Sequence, residues 1–165
     1  MTPATSEGIS QVMQSVGRAY VSTINRLYKR TGTLWEAHHK ACLIDSEVYF
    51  MTCQRYIELN PIRANMVRHP SEYAWSSYQA NAMGKNIACL TPPPIYQALG
   101  DTPETRQYRY RELFNTALPT EEIHSIRNCT NHNYPLGSDK FKADIEANLN
   151  VRFGHLAPGH PIKNK

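Results

Sequence analysis

Eight residues near the N-terminus, Ile9, Val12, Met13, Val16, Tyr20, Ile24, Leu27 and Tyr28, recur at spacings of three and four. That period matches the turn of an α-helix and places all eight on one face. The spacing predicts an amphipathic helix over about 6–30, ended by Gly32, a residue suited to the left-handed turn that closes many helices. A helix with so long an apolar stripe is stable only when something covers that stripe. Its other side carries Arg18, Ser22, Arg26, Lys29 and Arg30 with no acidic residue among them. Such a stripe is either a solvated face or a surface that meets phosphate.

From Trp35 to Leu43 the pattern changes to alternation, with Trp35, Ala37, His39, Ala41 and Leu43 on one side, and predicts a short strand or extended segment. Asp45 or Ser46 can cap a second helix that carries Val48, Met51, Tyr56 and Leu59 and stops at Pro61. Pro61 can in turn open a short helix over 62–67. Tyr73 to Tyr78 supplies aromatic mass for a core. Residues 84–103 contain Gly84, Pro92, Pro93, Pro94, Gly100 and Pro103, the composition of a linker. Helices are expected over 104–118, with Arg106, Arg109 and Arg111, over 121–127, and over 139–149 behind Ser138. The last two form either a packed helical pair or a helix-turn-helix unit with a long connection. The tail 154–165, with two Gly, two Pro and two Lys, reads as disordered.

The bulk properties narrow the class. A chain of 165 residues with 41% hydrophobic content can bury one modest core, or a small domain with a helical appendage. No run reaches the roughly 20 apolar residues of a membrane span, and no basic flank precedes an apolar run as in a signal peptide. Cys42, Cys53, Cys89 and Cys129 are scattered without a C-x-x-C pair, which suits free thiols in a reducing cytoplasm and argues against a zinc site. The formal net charge of +4 favours a polyanionic partner without requiring one.

Chemistry is concentrated in 55–78. Tyr56 and Asn60 stand one helical turn apart, just before Pro61, so a phenol and an amide oxygen point together at a helix end. The pair either closes the helix structurally or places a nucleophile beside a metal-ligand oxygen. Read in order, Tyr56-Ile57, Asn60-Pro61, Arg63-Ala64, Met66-Val67, Pro70, Tyr73 and Trp75-Ser76-Ser77-Tyr78 resemble the tyrosine transposases associated with repetitive extragenic palindromes. These are single-tyrosine members of the HUH class of single-strand DNA transposases. The resemblance extends upstream through Gly32-Thr33-Leu34-Trp35-Glu36 and Lys40-Ala41-Cys42-Leu43-Ile44-Asp45, and resumes at Glu122-Ile123, Ile126-Arg127 and Leu136-Gly137-Ser138.

The resemblance implies an α+β chain: a mostly helical remainder of a ferredoxin-like HUH transposase domain, followed by a C-terminal helical region. The implied division is 1–83 for the end of the catalytic domain, 84–103 for the linker, 104–153 for the helical region and 154–165 for the tail. It also implies Tyr56 as the catalytic nucleophile, forming a 5′-phosphotyrosine link to DNA, and Asn60 as a metal ligand. A phenol is a weak nucleophile near neutrality, and in this class Mg²⁺ or Mn²⁺ polarises the scissile phosphate. The family binds that metal with a His-x-His strand, where alternation aims both rings at one face. The chain has no His-x-His; His38 and His39 are adjacent and on a strand would face opposite sides. The family places its histidine pair just before a Thr-Pro step, and here Thr2-Pro3 follows Met1 directly. The expectation is therefore an N-terminally truncated transposase, inactive or incomplete as an endonuclease and strand transferase, binding no metal by itself. The alternative is a non-catalytic DNA-binding remnant, or a decayed product with no activity. DNA, single-stranded or hairpin, is the expected partner, met by Arg18, Arg26, Lys29 and Arg30, and the expected location is the cytoplasm.

Overall fold

The computed structural model describes residues 5, 7–35 and 40–153. Two compact units partition the chain, residues 1–39 and 40–165. The first holds helix α1, Gly8–Leu27, close to the span that periodicity predicts. No residue of α1 is buried. Most of its apolar positions, including Ile9, Met13, Val16, Tyr20 and Leu27, are exposed to solvent, while Val21 and Ile24 are half-buried. Tyr28 closes the helix by donating its backbone N–H to the Ile24 carbonyl at 2.9 Å.

The second unit contains α2 (Ser46–Glu58), α3 (Asn60–Arg63), a 3₁₀ turn at Pro70–Glu72, α4 (Tyr78–Met83), α5 (Pro94–Gln97), α6 (Pro103–Glu112), α7 (Thr120–His132) and α8 (Asp139–Leu149). Among the described residues the regular structure is entirely helical, and the one β-type pairing is an isolated parallel bridge between Ile44 and Leu136. This overturns the α+β, ferredoxin-like expectation. A strand persists only when a neighbour takes its backbone donors and acceptors. The described part of the alternating segment finds other partners. Ala41 donates its N–H to the Asn133 side-chain oxygen at 3.1 Å, and the Leu43 carbonyl accepts from Leu136 at 2.8 Å. Glu36 to His39, the middle of the expected strand, lies outside the described residues, as does the tail 154–165.

Helix α2 is the beam on which this unit is built. Met51 packs against a core of Tyr78, Ala82, Tyr96 and Tyr110, joined by Leu99, Leu113 and Phe114. Tyr49, Cys53 and Tyr56, at i, i+4 and i+7, pack against a second core of Ile126, Cys129 and Leu136. The first core is largely aromatic: Tyr78 meets Phe114 edge-on at 4.8 Å between ring centres, and Tyr96 meets Tyr110 edge-on at 5.5 Å. Tyr96 comes from the segment that composition marks as a linker. There α5 opens at the last of three consecutive prolines, Pro94, and the Tyr96 hydroxyl donates to the Asn81 carbonyl at 2.8 Å. The helix expected over 104–118 ends at Glu112, and the one expected over 121–127 continues to His132, where Asn133 takes the left-handed cap at φ 57°. Helix α8 has the expected bounds, and Ser138 Oγ accepts from the Phe141 N–H at 3.2 Å. Gly137 is required here by space, since a Cβ on it would lie 2.5 Å from the Phe141 ring.

Candidate functional site

Tyr56 lies in the last turn of α2 and Asn60 opens α3, with only Leu59 between the two helices. Tyr56 is half-buried against the Ile126 core, while Asn60 is exposed. The structure therefore keeps the two sequence-selected residues on adjoining turns at one helix junction. It also adds a third residue. The Arg63 guanidinium carbon lies 4.3 Å from the centre of the Tyr56 ring. The same group donates through Nη2 to the Tyr56 carbonyl and to the Asn60 side-chain oxygen. Its Nε is buried without a hydrogen-bond partner. Burial holds the Arg63 pKa below its ordinary value.

That arrangement does not fit a divalent ion. The Asn60 oxygen, the expected ligand, faces a guanidinium, and among the described residues no three His, Cys, Asp or Glu side chains cluster to complete a coordination shell. An octahedral Mg²⁺ or Mn²⁺ site needs several oxygen ligands free of competing cations. His38 and His39 lie outside the described residues.

Glu58, two residues after Tyr56, is wholly buried and was missed by sequence reasoning. Its Oε1 accepts from Ser77 Oγ at 2.6 Å, Gln54 Nε2 at 2.9 Å and Asn81 Nδ2 at 3.3 Å. Its Oε2 accepts from the Tyr110 hydroxyl at 2.9 Å. The cage uses neutral donors alone, yet it occupies the carboxylate on both oxygens. Burial, and next the Glu58 charge, push the Tyr110 hydroxyl far above the ordinary phenol range. Glu58 thus ties the last turn of α2 to α4 and α6, on the side of α2 opposite Tyr56. The only sequence signal is its place seven residues after Met51, on the same helix face.

Arg18, Arg26, Lys29 and Arg30 are all exposed in the first unit. Arg18 donates to Gln14 at 3.0 Å one turn earlier on α1. Lys29 and Arg30 lie beyond the end of α1.

No family model matches the chain, and neither a curated protein nor a solved structure is significantly similar to it. No helix among the described residues is long and apolar enough to cross a membrane.

Proposed function

We propose that this chain is a single-strand DNA-binding protein related to the tyrosine transposases associated with repetitive extragenic palindromes, and that by itself it does not cut DNA. The observation that carries this reading is the junction of Tyr56, Asn60 and Arg63. It keeps the phenol and amide of the transposase motif one turn apart but sets the amide oxygen against a guanidinium instead of leaving it open to a metal. A guanidinium beside a phenol is suited to a phosphodiester, since Arg meets phosphate oxygens with charge-assisted hydrogen bonds. The exposed cations of the first unit support a DNA partner, because neutralising phosphates dominates the affinity of such proteins. Four free cysteines accord with a reducing cytoplasm.

The test uses the purified chain with end-labelled single-stranded and hairpin oligonucleotides in Mg²⁺ or Mn²⁺. Binding without nicking is expected. Absence of binding at low salt removes the DNA reading, and chelator-sensitive nicking by this chain alone removes the non-cutting part. A second arm supplies a family segment bearing the His-x-His strand, by fusion or in trans. A covalent adduct that forms with Tyr56 and is lost in Tyr56→Phe is the expected result. An adduct that survives Tyr56→Phe and disappears in Tyr49→Phe would make Tyr49 the nucleophile and overturn the assignment to Tyr56.

A further inference from the structure

All of the chain's formal net charge of +4 resides between Gly8 and Trp35. That stretch holds Arg18, Arg26, Lys29 and Arg30 and no acid, so the rest of the chain carries fourteen basic and fourteen acidic side chains. Exposed aromatic rings gather where this charge is densest. After α1 the backbone turns through Lys29 (φ 51°) and Gly32 (φ 93°), both left-handed. The Asn25 side chain donates to the Gly32 carbonyl at 2.8 Å, and the Arg30 N–H donates to the Asn25 carbonyl at 2.9 Å. The Trp35 N–H donates to Thr33 Oγ1 at 3.0 Å.

These bonds fold the segment back along its own helix. The Trp35 ring stacks on Tyr20 with centres 6.1 Å apart, and a Cβ on Gly17 would come within 3.3 Å of Trp35 Nε1. A cleft of about 770 Å³ opens between helix and returning chain, lined by Tyr20, Ile24, Tyr28, Arg30, Leu34 and Trp35. Tyr20, Tyr28 and Trp35 are 51%, 65% and 53% exposed.

We propose that this cleft takes an unpaired base of single-stranded DNA, stacked against Tyr28 and Trp35, with Arg30 on the adjoining phosphate. The inference rests on the DNA-binding reading above and supplies the contact by which a single strand is held. Aromatic faces inside a basic groove are what sequence-tolerant single-strand binders use, because every base presents a π-face. A duplex keeps those faces stacked on each other and offers only its backbone and groove edges. An apolar protein partner would cover the rings but leave four cations without a counterpart. The single strand satisfies both features at once.

The experiment uses the full chain in a Trp75→Phe background, which leaves Trp35 as the sole tryptophan. It is titrated with oligo-dT and with an abasic strand of equal length, which keeps the phosphates and lacks the bases. Quenching of Trp35 emission by oligo-dT and not by the abasic strand is expected, with affinity for oligo-dT about tenfold higher. Tyr28→Ala lowers oligo-dT affinity by about tenfold and leaves the salt dependence unchanged, whereas Arg30→Ala flattens the log–log salt slope by about 0.7. Helical content of both variants is checked to match the parent. Equal affinity for the two strands without quenching, or no binding of either, overturns the proposal. Base-dependent quenching with no adduct once the histidine strand is supplied leaves the cleft standing and removes the transposase relationship.

Discussion

Arg63 lies over the ring of Tyr56, its guanidinium carbon 4.3 Å from the ring centre, and through the same group it bonds the Asn60 amide oxygen. One side chain thus ties the end of α2 to α3 and covers both residues that the sequence nominates for chemistry. Removing it exposes the ring and leaves the Asn60 oxygen to water. Arg63→Ala is expected to lower unfolding free energy by about 1–2 kcal/mol, from a lost cation–π contact and lost charged hydrogen bonds. Arg63→Lys should recover less than half of this, because an ammonium lacks the planar fork that serves ring and carbonyls together. Urea denaturation of the three proteins checks both statements.

Glu58 sets the second prediction. Glu58→Ala leaves the hydroxyls of Ser77 and Tyr110 without their acceptor and takes one acceptor each from the amides of Gln54 and Asn81, at a wholly buried site. The expected loss is about 3–5 kcal/mol, enough to unfold much of the second unit. Glu58→Gln keeps the shape but turns one acceptor into a donor facing donors, and should cost about 1–3 kcal/mol. Equal stability of Glu58→Gln and the parent would remove the cage from the account.

Stability should fall on the alkaline side. Burial first, then the neighbouring Cys42 and Cys129 thiols, push Cys53 from its ordinary 9.0 to about 11. Burial also raises Tyr110, Tyr78 and Tyr96. Each group keeps its proton longer in the folded chain than in the unfolded one. Their contribution is therefore complete below about pH 9 and declines as pH rises through the folded-state values. Melting temperature followed from pH 7 to 11 should hold and then drop above 9, and Cys53→Ala should soften the first part of that drop.

The same shifts rank the thiols by reactivity, since the thiolate is the nucleophile. Cys89 is exposed, whereas Cys129 is buried and its pKa is raised by burial. Iodoacetamide at pH 8 should label Cys89 first and leave Cys53 and Cys129 largely unmodified until the chain is unfolded. Peptide mapping by mass spectrometry reads the order directly.

Salt dependence tests the basic residues through their charge, with Arg30 shared between them and the aromatic cleft. Arg26→Ala combined with Arg30→Ala should flatten the log–log salt slope of single-strand binding by about one to two units. A slope unchanged by both substitutions would make these residues a solvated face.

Much of this chain was legible because its signals are local. The apolar positions at three and four predict α1, Ser138 marks the start of α8 through a bond three residues long, and Tyr56 and Asn60 stand one turn apart by helix geometry alone. Each depends on atoms within a turn or two of one another, so the residues that make the feature also announce it. The rest was decided by partners far away in sequence. The alternation over 35–43 predicts a strand or extended segment, yet the described part forms no strand: Ala41 bonds the Asn133 side chain, the Leu43 carbonyl accepts from Leu136, and the isolated bridge falls just beyond, between Ile44 and Leu136, ninety-two positions on. Residues 84–103 read as linker by their prolines, but Tyr96 is drawn into a core by Tyr110 and Asn81. Glu58 carries no mark in the sequence, and Arg63 stands there only as part of the transposase-like run, without a role. Burial of a charge is permitted only where enough donors converge on it, and beyond Gln54 one turn earlier those donors are Ser77 just before α4, Asn81 in α4 and Tyr110 in α6, up to fifty-two residues away. No periodicity within a helix encodes such a convergence; packing three segments around α2 creates it.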